Sequence, residues 1–345
     1  MGSVGGTAAS PRFLLISYPR SASNLLRRVL ALEDRDDVHS DGYLLAKTTY
    51  TTMAEKLWAK PLGQWDPDAK ANYKRLASEG LEALNKSVAE GEASGKIVYV
   101  KEHVLFLLDP NVMDKFIFGE FSSSDRPWRI DQPDVSGGAD PAESDMNETI
   151  FSDEYLQQWK ATFLIRHPAM AFPSQYRALT QQRTEQEESP AEKNFLSLFM
   201  TLRWSRKLYD HYTELERKAA EPTEPGQELV SWPVILDADD VMESPAVMQK
   251  YALAIGVSPT KVQYEWKAAD DEQREKMSAR AKIMLSTLIA SDGIVAGKSA
   301  SKIDIRVEAE KWREEFGQEV AERLEAAVLA AMPDYEYMRS RRLQA

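Results

Sequence analysis

The sequence predicts a single α/β domain with a central parallel sheet and helices on both faces. Three observations predict it: apolar runs too short for helices recur along the chain, amphipathic helical segments separate them, and no internal repeat or linker divides the 345 residues. With 43% hydrophobic residues, a chain of this length can bury a substantial core. We therefore expect a ligand site at the carboxyl ends of the strands.

Each predicted strand is a short apolar run, rich in β-branched residues or bounded by Pro or Gly. The four runs cover residues 12–18, 96–103, 160–166 and 232–237. Helical periodicity of the apolar residues predicts the helices that lie between and after these strands. They cover residues 24–33, 67–90, 195–217, 246–255, about 270–290, and 307–332. This alternation of strands and helices is typical of a parallel sheet.

Two stretches lack this periodicity. Residues 1–10 contain neither the charged nor the apolar region of a signal peptide, and we interpret them as a flexible tail before a domain that covers 11–345. Residues 119–158 are rich in Ser, Asp, Gly and Pro, and we interpret them as an irregular insertion. The length of this insertion is typical of a lid, a binding loop or a solvated excursion.

The composition argues against several classes of protein. Lys plus Arg total 43 against 55 Asp plus Glu, so the net charge is −12 and the surface is not suited to a nucleic-acid backbone. The chain has no Cys and only four His, so we expect no metal centre and no thiolate chemistry. No apolar run approaches the ~20 residues of a membrane span. We therefore expect a cytoplasmic protein with no membrane or nucleic-acid partner.

The loop after the first predicted strand has the composition of an anion site. It reads Tyr-Pro-Arg-Ser-Ala-Ser-Asn over residues 18–24, which we call the anion loop, and it directly precedes a predicted helix. The N–H groups and the positive end of a helix dipole attract an anion there, and Arg20 adds a full charge beside the hydroxyls of Ser21 and Ser23. A helix cap formed by Ser23 or Asn24 would account for one of these residues, but not for all of them.

The anion loop contains no Gly, so it matches neither the phosphate loop of nucleotide hydrolases nor the turn of dinucleotide-binding proteins. It resembles the 5′-phosphosulfate loop, Tyr-Pro-Lys/Arg-Ser-Gly-Thr/Ser, of sulfotransferases that use 3′-phosphoadenosine 5′-phosphosulfate (PAPS). The departures are Arg20 for the usual Lys, Ala22 for Gly and Leu25 for Trp. The resemblance implies the P-loop-like sulfotransferase fold, related to nucleotide kinases. The residues that it assigns to the 5′ end of PAPS are Arg20, Ser21, Ala22, Ser23, Asn24 and Leu25.

The second predicted strand ends in Lys101-Glu102-His103, which is similar to the Lys-Thr-His of the same family. The resemblance implies that Lys101, His103 and Arg20 are catalytic, with His103 as the base that removes the proton of the acceptor hydroxyl. Neutral imidazole suits this role, because its ordinary pKa near 6.5 lets it accept a proton at neutral pH. A single His is by itself more often structural, so the assignment depends on its position at a strand end.

The third predicted strand ends in Arg166, and Ser174 follows eight residues later. This spacing matches the 3′-phosphate motif of the family, so the resemblance implies that both residues bind that phosphate. Because Pro173 would break a helix begun at Pro168, we predict that a helix starts at Pro173 and that Ser174 lies in its first turn. A surface ion pair is the alternative role for Arg166.

Two further residues, late in the chain, are candidates for binding PAPS. Lys298 lies in Gly-Lys-Ser, where the family has a basic loop that closes over the 3′-phosphate. Trp266 is expected to stack on adenine, although a core Trp on an amphipathic helix fits the sequence equally. The Tyr that the family carries near the end of the fourth strand is absent.

Together these observations predict an enzyme that transfers the sulfuryl group of PAPS to a hydroxyl of a small-molecule acceptor, without a metal. One alternative is diverged chemistry on the same fold, in which sulfation activates the substrate for elimination or cyclisation, or PAPS is not used. A second alternative is a protein that binds nucleotides or phosphorylated partners without catalysis. The sequence specifies neither the acceptor nor the oligomeric state.

Overall fold

Five parallel strands form the sheet at the centre of the computed structural model, which describes residues 11–119, 128–130, 146–180, 189–219 and 230–345. The strands are β1 (Arg12–Ser17), β2 (Val38–Gly42), β3 (Ile97–His103), β4 (Lys160–Ile165) and β5 (Val234–Asp237). Their order across the sheet is β2-β3-β1-β4-β5, and each neighbouring pair is parallel. The predicted flexible tail, residues 1–10, lies outside the described residues.

Helices connect the strands and surround the sheet. Those before β4 are α1 (Ser23–Val29), α2 (Ala46–Ala54), α3 (Pro67–Ala93), α4 (Val104–Leu107), α5 (Pro110–Phe118) and α6 (Asp153–Leu156). Those between β4 and β5 are α7 (Pro168–Thr180), α8 (Pro190–Ser197) and α9 (Arg203–Ala219). Directly after β5 come α10 (Ala238–Glu243) and α11 (Pro245–Ala254). The last are α12 (Asp271–Lys276), α13 (Ala279–Met284), α14 (Ser286–Ala290), α15 (Ile305–Phe316) and α16 (Gln318–Arg339).

The strand side chains alternate between two hydrophobic cores, one on each face of the sheet. Leu14 and Ile16 of β1 pack in one core with residues of α3, α9 and α16. Phe13 and Leu15 pack in the other core with residues of α1 and α11. Because both faces are buried, four of the strands contain a continuous apolar run, which is the pattern that predicts them. The predicted single α/β domain with a parallel sheet is confirmed.

The prediction of four strands is wrong by one, because β2 has no apolar run. It lies at the edge of the sheet, where it pairs only with β3, and Val38 is its one buried residue. Its backbone approaches β3 closely, since a Cβ atom added to Gly42 would lie 2.8 Å from the carbonyl oxygen of Lys101. This strand delivers Tyr43 to the carboxyl edge of the sheet.

Three predicted helices are interrupted in the structure. The segment 195–217 is divided between α8 and α9, and the segment 270–290 forms the three short helices α12 to α14. The segment 307–332 is divided between α15 and α16 at Gly317, whose φ is 82°. This left-handed conformation favours Gly and ends the first helix. The apolar periodicity continues across such breaks, so it does not reveal them.

The described part of the insertion 119–158 packs against the core. Trp128 and Phe151 are both buried, and α6 adds a further buried residue. Residues 120–127 and 131–145 lie outside the described residues. For them the lid and binding-loop interpretations stay predictions.

Candidate active site

The carboxyl ends of β1, β3 and β4 lie side by side around one cavity. β1 is the middle strand, so Ser17 pairs with His103 of β3 on one side and with Leu164 of β4 on the other. The cavity has a volume of about 770 Å³, which is in the usual range for a small-molecule site. The predicted residues that line it are Arg20, Ala22, Ser23, Asn24, Leu25, His103, Arg166, Ser174, Trp266 and Lys298. Ser21 and Lys101 are fully buried beside it.

The anion loop turns sharply because two of its residues have left-handed backbone conformations. The φ angles of Arg20 and Ala22 are 67° and 68°. Ala22 stands where the PAPS-dependent enzymes have Gly, the residue that adopts this conformation most readily. Ala22 is also the N-cap residue of α1 and supplies no side-chain hydrogen bond. The capping role considered for Ser23 and Asn24 is therefore wrong, because both residues lie inside the first turn of the helix.

Arg20 and Arg166 join the anion loop to the other elements around the cavity. The guanidinium of Arg20 donates from Nε to Oγ of Ser174 at 2.9 Å and from Nη1 to the carbonyl oxygen of Met284 at 2.7 Å. Arg166 donates to the carbonyl oxygens of Arg20 at 3.0 Å and Lys298 at 2.8 Å. One hydrogen-bond network thereby joins the anion loop to α7, α13 and the segment around Lys298.

Both guanidinium groups are partly withdrawn from water and have neutral hydrogen-bond partners. Burial lowers the pKa of Arg20, and Arg177 lowers it further. Burial also lowers the pKa of Arg166, an effect that Asp239 opposes. Among the described residues, the Arg166 Nε and the Ser21 Oγ are buried without a hydrogen-bond partner. Buried cations and orphaned donors are unfavourable, so an anion would complete this site.

The helix that carries Ser174 begins earlier than predicted. The helix α7 starts at Pro168 and contains Pro173, so the prediction of a helix start at Pro173 is wrong. Pro168 suits a first helical position, and the Nδ1 atom of His167 accepts a hydrogen bond from the N–H of Ala169 at 3.2 Å. Pro173 is the sixth residue of this helix, where it removes one helical hydrogen bond, yet the helix continues through it to Thr180. Ser174 therefore reaches the site with its hydroxyl from the second turn.

Ser17 on the neighbouring strand orients the imidazole ring of His103. The Ser17 hydroxyl lies 2.9 Å from Nδ1 of His103 and 3.2 Å from the carbonyl oxygen of Glu102. A hydroxyl that donates to this carbonyl accepts from Nδ1–H, so Nε2 is then the unprotonated nitrogen. The ring centroid lies 4.9 Å from that of Tyr43 and 5.2 Å from that of Phe106. This geometry suits a general base at the cavity wall.

Lys101 is completely buried behind Tyr43. Its ammonium group donates a hydrogen bond to Oδ1 of Asn24, and Nζ lies 4.0 Å from the centroid of the Tyr43 ring. Burial lowers the pKa of Lys101 well below its ordinary value, and the charge of Arg27 adds to this effect. Lys101 thus contacts the anion loop through Asn24 and the cavity wall through Tyr43. Its catalytic role stays a prediction.

Tyr43 is a cavity residue that the sequence reasoning missed. It follows β2 directly, has a left-handed φ of 61°, and donates its N–H to the carbonyl oxygen of Lys101 at 2.9 Å. The preceding Asp41-Gly42 pair is typical of a turn and is the one signal of a strand end here. Because β2 itself has no apolar pattern, that signal stands alone in the sequence.

Trp266 and Lys298 line the cavity from the late part of the chain. Trp266 is half-buried and donates from Nε1 to the carbonyl oxygen of Ser291 at 3.0 Å. It lies outside the helices, so the alternative of a core Trp on an amphipathic helix is wrong. The Lys298 side chain is exposed, and its segment is anchored where the N–H of Ala300 donates to Oδ1 of Asp239 at 3.0 Å. Adenine stacking by Trp266 stays a prediction.

Glu102 supports the turn that follows Tyr43. Its Oε1 atom accepts hydrogen bonds from the N–H groups of Leu44 at 2.6 Å and Leu45 at 3.3 Å. The side chain is fully buried, and this burial raises the pKa of Glu102 to about 8. Burial therefore favours the protonated, neutral form of this carboxyl group in the folded protein relative to an unfolded chain.

This pKa predicts how stability depends on pH. Unfolding releases the Glu102 proton between about pH 4.3, the ordinary Glu value, and about pH 8. The free energy of unfolding should therefore fall as pH rises through this window. The expected slope from this one proton is on the order of 1.4 kcal/mol per pH unit. Glu102→Gln should remove this contribution to the pH dependence of the free energy of unfolding. Urea unfolding of the wild type and of Glu102→Gln across this pH window measures the free energy of unfolding of each. Parallel pH profiles of the two proteins would contradict the raised pKa of Glu102.

The described ranges contain neither a membrane-spanning helix nor a metal-binding cluster. No helix there is both long and apolar enough to cross a membrane. The described His, Asp and Glu side chains form no group of three or more that could hold a metal ion. The positive charges at the cavity include those of Arg20, Arg166 and Lys298.

The chain is similar to proteins named as sulfotransferases. It is 38% identical over 345 residues to Sulfotransferase ppzF of Metarhizium majus (strain ARSEF 297), and the alignment covers 98% of each chain. It is also 38% identical over 338 residues to Sulfotransferase ppzF of Metarhizium rileyi (strain RCEF 4871), with 97% of this chain and 96% of the relative covered. No family model matches the chain.

Among solved structures, the sulfotransferase domain of the Synechococcus PCC 7002 olefin synthase matches 92% of this chain and 98% of its own. The identity is 14% and the TM-score is 0.37, which by itself does not establish a shared fold. The α/β sheet with a cationic cavity at its strand ends is an architecture suited to the transfer of an anionic group. Given the identity along the whole length, the chain belongs to the sulfotransferase family of the two ppzF proteins. The predicted transferase class is confirmed.

Proposed function

We propose that this sulfotransferase moves the sulfuryl group of PAPS to the hydroxyl of a small organic acceptor in the cytoplasm. The observation that carries the proposal is the pair of guanidinium groups of Arg20 and Arg166, which line one cavity and bond only neutral partners among the described residues. A donor with separate 5′ and 3′ anionic groups would neutralise both charges through strong, charge-assisted hydrogen bonds.

The residues on one side of the cavity fit the PAPS molecule. The anion loop offers Arg20, the unpartnered and buried Oγ of Ser21, and the cavity-lining side chain of Ser23 to the 5′ end. Arg166, with its unpartnered Nε, and the exposed ammonium of Lys298 would hold the 3′-phosphate. When bound, PAPS supplies the activated sulfuryl group.

The other side of the cavity fits an organic acceptor. Tyr50, Phe106 and Trp312 contribute aromatic rings to its wall. The ring of Phe106 contacts Tyr50 at a centroid distance of 5.7 Å and His103 at 5.2 Å. Apolar walls with a small number of polar groups are typical of small-molecule sites. This wall beside the proposed base supports an alcohol or a phenol as the acceptor.

In the proposed reaction, His103 accepts the proton of the acceptor hydroxyl on the nitrogen that Ser17 does not engage. The acceptor oxygen forms a bond to sulfur while the bond from sulfur to the bridging oxygen breaks. The electron pair of that bond stays on the 5′-phosphate of the product nucleotide. Arg20 stabilises the negative charge on the bridging and transferred oxygens and keeps its own proton, because a guanidinium does not deprotonate.

The product nucleotide, 3′-phosphoadenosine 5′-phosphate (PAP), tests this donor directly. PAP at 100 times its Kd should stabilise the folded protein by about 2.7 kcal/mol, since it binds only the native state. A thermal melt measures this as a midpoint that rises with PAP concentration. Adenosine 5′-phosphate, which lacks the 3′-phosphate, is the matched control and should raise the midpoint less. If neither PAP nor PAPS at millimolar concentration shifts the midpoint, the donor assignment is wrong.

A further inference from the structure

Tyr43 lies where the anion loop, the proposed base and the acceptor wall meet. Its side chain lines the cavity, with its ring centroid 4.9 Å from that of His103 and 5.9 Å from that of Phe106. Lys101 connects it to the anion loop, because the Lys101 Nζ lies 4.0 Å from the centroid of the Tyr43 ring and donates a hydrogen bond to Oδ1 of Asn24. The phenol group is therefore next to both the loop that would hold the donor and the ring that would take the proton.

Two contacts from β3 to Tyr43, and a third to the neighbouring Leu44, hold Tyr43 in a conformation that is rare for an aromatic residue. Its φ of 61° is in the left-handed region, where bulky residues are outliers. Its N–H donates to the carbonyl of Lys101, its ring covers the Lys101 ammonium at 4.0 Å, and the Glu102 carboxyl group accepts the N–H of Leu44. Strained residues that the surrounding structure holds in this way are typical of functional sites.

We propose that the hydroxyl of Tyr43 is a further catalytic group that donates a hydrogen bond to the sulfuryl group during transfer. The inference rests on the proposed function. The bond changes are those given above, and Tyr43 keeps its proton throughout, so it adds a donor and no proton-transfer step. Burial raises the pKa of Tyr43 to about 12, which keeps the phenol a donor at neutral pH. Lys101 then acts as a positioning residue beneath the ring.

Tyr43→Phe tests the hydroxyl because it keeps the ring over Lys101 and against His103. We expect kcat to fall by about 10²-fold, the loss typical of one donor to developing charge. The affinity for PAPS should fall by about three- to tenfold relative to the affinity for PAP, because only PAPS carries the sulfuryl group. Calorimetric titration of both nucleotides and turnover at saturating PAPS measure these effects.

Tyr155→Phe is the matched control, because the Tyr155 hydroxyl donates to Asn85 at 2.9 Å, away from the cavity. It should leave kcat and both affinities unchanged. If Tyr43→Phe melts as the wild type does and keeps kcat and the ratio of the two affinities, the role of Tyr43 is overturned and the proposed function stands. Equal weakening of PAPS and PAP would also overturn it, since the hydroxyl would then serve a phosphate. If the wild type binds neither nucleotide, both proposals fail.

Discussion

His103→Ala is expected to lower kcat by about 10²- to 10⁴-fold with a hydroxyl acceptor, because the acceptor would then lose its proton without a base. Affinity for PAP should be unchanged, since Arg20 and Arg166 bear the nucleotide charges in our account. Rapid-quench measurement at saturating PAPS follows the chemical step even where product release limits turnover.

The acidity of the acceptor gives this prediction an internal control. An acidic phenol, already partly ionised, should lose less rate in His103→Ala than an aliphatic alcohol does. His103→Asn, which can retain a polar contact with Ser17, should show the same defect. His39 lies outside the cavity, where its Nε2 is hydrogen-bonded to the Ser87 hydroxyl at 3.1 Å, so His39→Ala should retain activity. Equal losses for acidic and weakly acidic acceptors would assign His103 a structural role.

Arg166→Ala is expected to weaken PAP binding by about 30- to 700-fold, equivalent to about 2–4 kcal/mol. The rate at saturating PAPS should change much less, because a 3′-phosphate that takes no part in bond breaking is held equally in the ground and transition states. Titration calorimetry and steady-state kinetics separate the two effects.

The control for this variant is an arginine with no contact to the site. Arg217 pairs with Glu214 on the exposed surface of α9, and Arg217→Ala should leave PAP affinity unchanged. Arg166→Lys should recover part of the affinity, because it keeps the charge and loses the planar guanidinium. A large fall in saturated rate with intact PAP affinity would contradict the 3′-phosphate role.

The central strands could be predicted because burial on both faces leaves a local pattern. Strand β1 alternates Leu14 and Ile16 toward one core with Phe13 and Leu15 toward the other, so these four consecutive residues are all apolar. The edge strand β2 could not be predicted in this way, since backbone pairing with β3 holds it and most of its side chains are only partly buried. Sheet pairing between distant segments leaves no mark in such a sequence.

Some residues of the candidate site could likewise be predicted from local patterns, and others could not. The anion loop, His103 and Arg166 could be placed because each follows a recognisable strand and carries a motif. The contact of Arg20 with Ser174 joins residues 154 positions apart, and no local pattern encodes it. Tyr43 was missed for the same reason, because Lys101 and Glu102 on a different strand determine its position. Pro173 shows the converse error, since a local rule for helix starts was overridden by a helix that began five residues earlier.

Mass spectrometry of the products after incubation with PAPS and a panel of phenols and alcohols tests sulfuryl transfer directly. We expect at least one acceptor to gain a single SO₃ unit and PAP to appear in equal amount. His103→Ala in parallel should form both products at a much lower rate. PAP that accumulates without a sulfated product, or a panel that stays unchanged while PAP binds, would contradict sulfuryl transfer from PAPS to a small-molecule hydroxyl.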